Sequence, residues 1–184
     1  MDPTEFRIHS AYDHQVLKAM SRVLRRTLRR KRSIAYRIFG WTALLLTTLL
    51  QVGLLLIDEF YFQPFVFAVY AFVLAALLFE DDLNAWSASL NLIPGTREAD
   101  TLFTSDSYIV TTQAAETHWH YAQIVALCET KDAFFIFVSK RHVQQFPKAG
   151  MESGTPEQFR AFLTEKTGLP VRYVKSFGEK ERKS

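Results

Sequence analysis

The chain has 184 residues, 48% of them hydrophobic, with 22 basic and 19 acidic side chains for a net charge of +3. One cysteine, Cys128, excludes an internal disulfide and fits a reducing compartment. The positive charge is local: residues 1 to 37 hold ten basic and three acidic side chains, whereas residues 80 to 184 hold twelve and fourteen, so the overall basicity does not describe the C-terminal part.

At the start of the chain, Phe6-Arg7-Ile8-His9 alternates like a short strand that joins a later sheet. From Tyr12 to Arg32 the spacing predicts a helix. Val16, Leu17, Met20, Val23, Leu24 and Leu28 recur on one face, and basic residues occupy much of the rest. Arg22, Arg25, Arg26, Arg29, Arg30, Lys31 and Arg32 are the candidate membrane-surface residues, each worth about 1 kcal/mol near anionic headgroups. The other use of this helix is to pack its apolar stripe on the rest of the protein while the arginines hold the orientation of the apolar segment beyond it. Nucleic-acid binding needs aromatic platforms or a recognition element that the segment lacks.

Two uncharged apolar runs come next, about 38–57 and 60–79, separated by Asp58-Glu59. Each matches the roughly 20 residues a helix needs to cross a hydrocarbon core, so the expected structure is a transmembrane helical hairpin over 34–79. Thr47, Thr48, Gln51 and Gly53 are assigned to packing against the second helix, and Pro64 to its first turn. The position and length of the first run argue against a cleavable signal peptide. Ten basic residues precede the first run and none lies in the turn, which predicts both termini in the cytoplasm. Tyr36 and Trp41 suit one interfacial belt and Phe60 and Tyr61 the other. The run Glu80-Asp81-Asp82 runs against this orientation, but acids contribute weakly to it.

The second helix is expected to continue through Leu83, Trp86 and Leu90 until Pro94-Gly95 ends it, making 80–99 a helix extension and linker. From Asp100 the hydrophobic period changes to two. Candidate strands are 101–104, 108–113, 117–121, 124–129, 133–139 and 142–146. A final helix is predicted over 156–167, capped by Thr155, buried through Phe159, Phe162 and Leu163, and stopped by Gly168 and Pro170. The expected fold class is therefore a membrane α+β protein. It comprises a cytoplasmic N-terminal strand and basic helix (1–33), the hairpin, the linker, an antiparallel sheet domain closed by one helix (100–175), and a charged tail (176–184).

Little in this pattern points to catalysis. His118 and His120 share one face of a strand and His142 lies on another, the three nitrogens a zinc ion uses, but no carboxylate stands at ligand spacing, and the pair reads instead as flanking an inward Trp119. Cys128 sits among Val125, Ala126 and Leu127, the setting of a buried inert thiol. No phosphate-binding glycine loop, nucleophile elbow or metal motif is present, so no cofactor or metal is expected. Lys131, Lys140, Arg141 and Lys148 are the candidate binding residues, basic side chains at turns and strand ends that suit an anion.

The order of certain segments resembles a known family. Tyr121-Ala122-Gln123-Ile124, Glu129-Thr130-Lys131-Asp132, Phe134-Phe135-Ile136-Phe137, Phe146-Pro147-Lys148 with Met151, and Glu157 to Leu163 are similar to the C-terminal domain of YcxB-like bacterial membrane proteins. In that family the Pro-Lys step usually continues with a basic and an aromatic residue; here Ala149, Gly150 and Met151 stand in those places. The resemblance implies a pleckstrin-homology-like layout, a place in the bacterial cytoplasmic membrane, and no catalytic residues. The expected function is that of a multi-pass membrane protein whose non-catalytic cytoplasmic domain binds a protein partner or lipid headgroup, in contact with membrane lipids and not nucleic acid. The alternative is a small accessory subunit of a membrane transport or envelope assembly. It would dock through its hairpin by Gly53, Gln51, Ala68, Ala71, Ala75 and Ala76.

Overall fold

A computed structural model of the chain describes residues 5–57, 64–139 and 142–175. Two four-stranded sheets form its β part. In the first, β1 (Phe6–Ala11), β2 (Glu98–Phe103), β3 (Ser107–Thr111) and β4 (Glu116–His120) lie side by side and antiparallel, with Ile8 opposite Thr101 and Tyr108 opposite Trp119. In the second, β5 (Ala126–Glu129), β6 (Ala133–Phe137) and β7 (Val143–Pro147) are antiparallel, and β8 (Val171–Tyr173) pairs parallel to β5. The sequence pattern predicts one bent antiparallel sheet; the structure divides it into two and adds β8. That strand is three residues long and mostly exposed, too short to carry a period.

The inward side chains of both sheets meet in one aromatic core. Phe159 of α5 (Pro156–Thr167) is fully buried there, its ring 5.2 Å from Phe6, 4.8 Å from Phe103 and 5.2 Å from Phe134, so one helical residue touches three strands. Edge contacts of this kind add about 0.5–1.5 kcal/mol each beyond area burial. The ends of α5 lie where the sequence places them. Thr155 accepts from the Gln158 amide, the Gln158 side chain accepts from the Thr155 amide, and Gly168 closes the helix at φ +66°.

β6 reads Ala-Phe-Phe-Ile-Phe with no polar position, which is what a strand covered on both faces requires. Phe134 and Ile136 enter the core between the sheets. Ala133, Phe135 and Phe137 point to the opposite face, where α1 (His14–Arg26) lays Val23, Leu24 and Met20 on them. The predicted apolar stripe of the N-terminal helix is thus a packing surface for the second sheet. The helix itself is shorter than expected: it breaks at Thr27, whose hydroxyl donates to the Val23 carbonyl at 2.7 Å, and a new helix starts at Arg30.

That helix, α2 (Arg30–Leu56), is 27 residues and about 40 Å long, and it is the one helix among the described residues long and apolar enough to cross a membrane unaided. α3 (Pro64–Leu78) runs antiparallel beside it. Gly40 faces Leu77, where an added Cβ would come within 2.8 Å of a Leu77 methyl, and Thr48 Oγ1 lies 3.4 Å from the Tyr70 hydroxyl. The expected close approach at Gly53 is corrected: among the described residues nothing lies within 4 Å of a Cβ there, and Gly40 takes that role. The expected continuation of the second helix is also corrected. α3 stops at Leu78, and α4 (Glu80–Leu90) leaves at 86° to it. The segment 58–63, with Asp58, Glu59, Phe60 and Tyr61, and the tail 176–184 lie outside the described residues.

Candidate functional site

The sharp turn after Leu78 presents the first turn of α4 to α1, and this brings together the two charged runs of the sequence. Arg25 forms two hydrogen bonds with Asp81, from Nε at 2.9 Å and Nη2 at 2.7 Å, and lies 3.7 Å from Glu80. Arg22 reaches Asp81 at 3.4 Å, and Lys18 pairs with Asp82. The Asp81 side chain is 11% exposed. Burial raises its pKa, but the Arg25 and Arg22 guanidiniums outweigh that and hold the carboxyl below its ordinary range. Ala85, one turn further on, is fully buried where α4 meets α1.

The candidate membrane-surface residues fall into two groups by their contacts. Arg22 and Arg25 are engaged with α4, and Arg26 donates to the Lys175 carbonyl at 2.8 Å near the end of the β part. Arg29 precedes α2; Arg30, Lys31 and Arg32 form its exposed first turn. Arg32 donates to the Tyr36 hydroxyl at 3.0 Å and lies over the Tyr36 ring. Below them opens a cleft of about 460 Å³ between α1, α2, α3 and α4. Arg25, Arg29, Arg32 and Arg37 stand on its rim with Glu80, and Phe72, Val73, Ala76 and Leu77 of α3 line its apolar side. A second cleft of about 350 Å³ shares Arg25, Ser33 and Arg37 with it.

The candidate binding residues of the β part are dispersed. Lys131 is exposed in the β5–β6 turn, and Lys140 and Arg141 lie outside the described residues. Lys148 is engaged internally: its Nζ is 2.6 Å from Glu129 Oε1, and Arg160 of α5 clamps the same carboxylate through two bonds of 2.6 and 2.7 Å. The Glu129 side chain is 5% exposed. Burial pushes its pKa up, and the hydrogen bonds from Arg160 and Lys148 together outweigh that and hold it below the ordinary carboxylate range. The acidic end of β5, the Pro-Lys step and α5 are thereby joined in one ionic clamp. Sequence reasoning missed Glu129 and Arg160, since residues 31 apart show no periodicity that pairs them.

The histidines do not converge. His118 bonds Glu116 at 2.9 Å, and His142 stacks on Trp119 at 5.2 Å between ring centres. Among the described residues no three His, Cys, Asp or Glu side chains gather to hold a metal ion. Cys128 is buried between the second sheet and α1, and burial pushes its thiol up to about 11, far from a thiolate at neutral pH.

Comparison with protein families matches residues 103–164 to the model described as YcxB-like protein, about a third of the chain. The chain therefore carries a YcxB-like domain, and the match runs from the end of β2 to the last turn of α5. Comparison with curated proteins and with solved structures finds no match to either.

Proposed function

We propose that this protein is a multi-pass protein of the bacterial cytoplasmic membrane. In this reading α2 and α3 form a transmembrane hairpin with both termini cytoplasmic, and the β part is a pleckstrin-homology-like domain that binds a protein partner or lipid headgroup without catalysis. The observation that carries it is the uncovered apolar surface of the two helices. Phe39 is 75% exposed, Leu56 81% and Phe65 78%, and they belong to a continuous apolar surface along both helices, far more than a water-soluble surface sustains. The two sheets with α5 against their core support the pleckstrin-homology-like layout. With Lys148 held by Glu129, Lys131 is the described member of the loop set still facing solvent, so a protein partner suits the domain surface better than a headgroup there.

Single cysteines in a Cys128→Ala background test the placement. A membrane-impermeant maleimide applied to intact cells should label position 58 and spare position 116. Labelling at 116 before permeabilisation would overturn the topology.

A second reading, the accessory subunit, draws support from a different observation. Ala68, Ala71 and Ala75 are exposed on α3, and among the described residues nothing crowds Gly53 on α2, so these four small residues, unlike Gly40, are not used between the two helices. Replacing 38–79 with an unrelated hairpin separates the two. A stoichiometric partner that still copurifies in mild detergent supports the domain as the binding part, and its loss supports the subunit.

A further inference from the structure

We propose that the cleft between the start of α2 and the end of α3 is a binding site for one anionic phospholipid of the cytoplasmic leaflet, its phosphate on Arg32 and Arg37 and the start of its acyl chains against α3. The inference rests on the membrane placement proposed above. Its basis is charge complementarity joined to an apolar wall. Arg25 is committed to Asp81, but among the described residues neither Arg32 nor Arg37 forms an ion pair, although both stand on the rim. Guanidinium forks match phosphate oxygens in a way that point charges do not. Opposite them lie Phe72, Val73, Ala76 and Leu77. A free phosphate gains nothing from that wall, whereas a lipid covers it.

The level of the cleft agrees with this ligand. α4 turns 86° from α3, so if α3 stands in the bilayer α4 lies in its plane. Leu83, Trp86 and Leu90, at i, i+3 and i+7, are exposed along one side of α4, the pattern of a helix resting at the boundary of headgroups and acyl chains. Glu80 and Asn84 of this helix line the same cleft, as does Tyr36, an aromatic suited to the interface. The arginines therefore stand where lipid phosphates lie.

The test uses the full chain in a neutral detergent, titrated with short-chain phosphatidylglycerol, with phosphatidylcholine of the same chain length, and with inorganic phosphate, reading the thermal midpoint. Phosphatidylglycerol should raise the midpoint saturably, and the other two should not at the same concentration. The double variant Arg32→Gln, Arg37→Gln should weaken the apparent affinity about ten- to thirty-fold, read from the shift relative to its own lipid-free midpoint. Ala76→Leu, which fills the apolar side without changing charge, should also weaken it. Three results would overturn the proposal: equal stabilisation by phosphatidylcholine, stabilisation by phosphate matching that by phosphatidylglycerol, or an undiminished response in the arginine variant. A chain that labels as a hairpin but ignores phosphatidylglycerol sinks the lipid site alone. A chain that fails the labelling experiment sinks the membrane placement instead.

Discussion

Glu129 is the residue whose surroundings do most to fix its chemistry. A carboxylate this buried persists as an anion only because Arg160 and Lys148 supply three short charge-assisted bonds. Glu129→Gln keeps the shape and leaves two cations facing an amide. Arg160 retains partial access to water, so the expected loss is about 2–3 kcal/mol, at or below the low end for breaking a buried pair. The sign of the pH dependence is set by the same bonds. The folded carboxyl binds protons more weakly than the unfolded one, so its contribution is complete above the ordinary range near pH 4.3 and disappears as pH falls through the lower folded value. Thermal melts of the full chain from pH 7 to pH 3 should show a smaller acid loss for Glu129→Gln than for the parent. Lys148 is legible in the sequence only as a cation after a strand, which looks the same whether its partner is an external anion or a glutamate 19 residues earlier.

At the scale of elements, the ion cluster between α1 and α4 joins the β part to the apolar helices. α1 is gripped from two sides, by Phe135 and Phe137 of the second sheet and by Asp81 and Asp82 of α4. Reversing one charge should loosen the grip, and reversing both should restore part of it, because Arg22 and Glu80 would then face like charges. Arg25→Asp and Asp81→Arg are each expected to lower the thermal midpoint in detergent. The double variant should recover a coupling of about 1–2 kcal/mol, as expected of a hydrogen-bonded charge pair in partial contact with water. Additive losses would mean that the pair is not what fixes α4 on α1. The helix ends show why this junction is hidden in the sequence. α5 is legible to the residue because Thr155, Gln158 and Gly168 are local signals. The turn at Phe79 has neither glycine nor proline, and Thr27 bends the chain through a hydroxyl bond that any helical threonine can make. An acidic run that weighs little in setting orientation is therefore not recognisable as the partner of arginines 56 residues earlier.

At the scale of the molecule, the family match covers residues 103–164, but the cores that these residues build are completed from outside it. Phe6 and Ile8 of β1 enter the inter-sheet core, and β1 is held on its far side by the Glu152 amide donating to the Arg7 carbonyl at 2.9 Å. Gly150 is required there, because a Cβ would fall 2.1 Å from the His9 carbonyl oxygen. The departure from the family's Pro-Lys continuation thus coincides with the place where the N-terminal strand crosses. Alternation in 6–9 announces a strand, but its partner lies some ninety residues away across the apolar helices, and no local pattern names it. A fragment of residues 100–175 would lack Phe6, Ile8 and α1, leaving Phe135 and Phe137 uncovered in water. It should aggregate or melt without a cooperative transition. Joining residues 5–28 to residues 97–175 through a Gly/Ser linker of about 20 residues, with a typical reach of roughly 25 Å, should restore a soluble monomer by gel filtration and a single sharp melt. If residues 100–175 alone gave that sharp melt, β1 and α1 would be additions to a self-sufficient domain. If only the linked form does, the β domain is assembled from both sides of the apolar helices. Any force on those helices would then act on its core through α1.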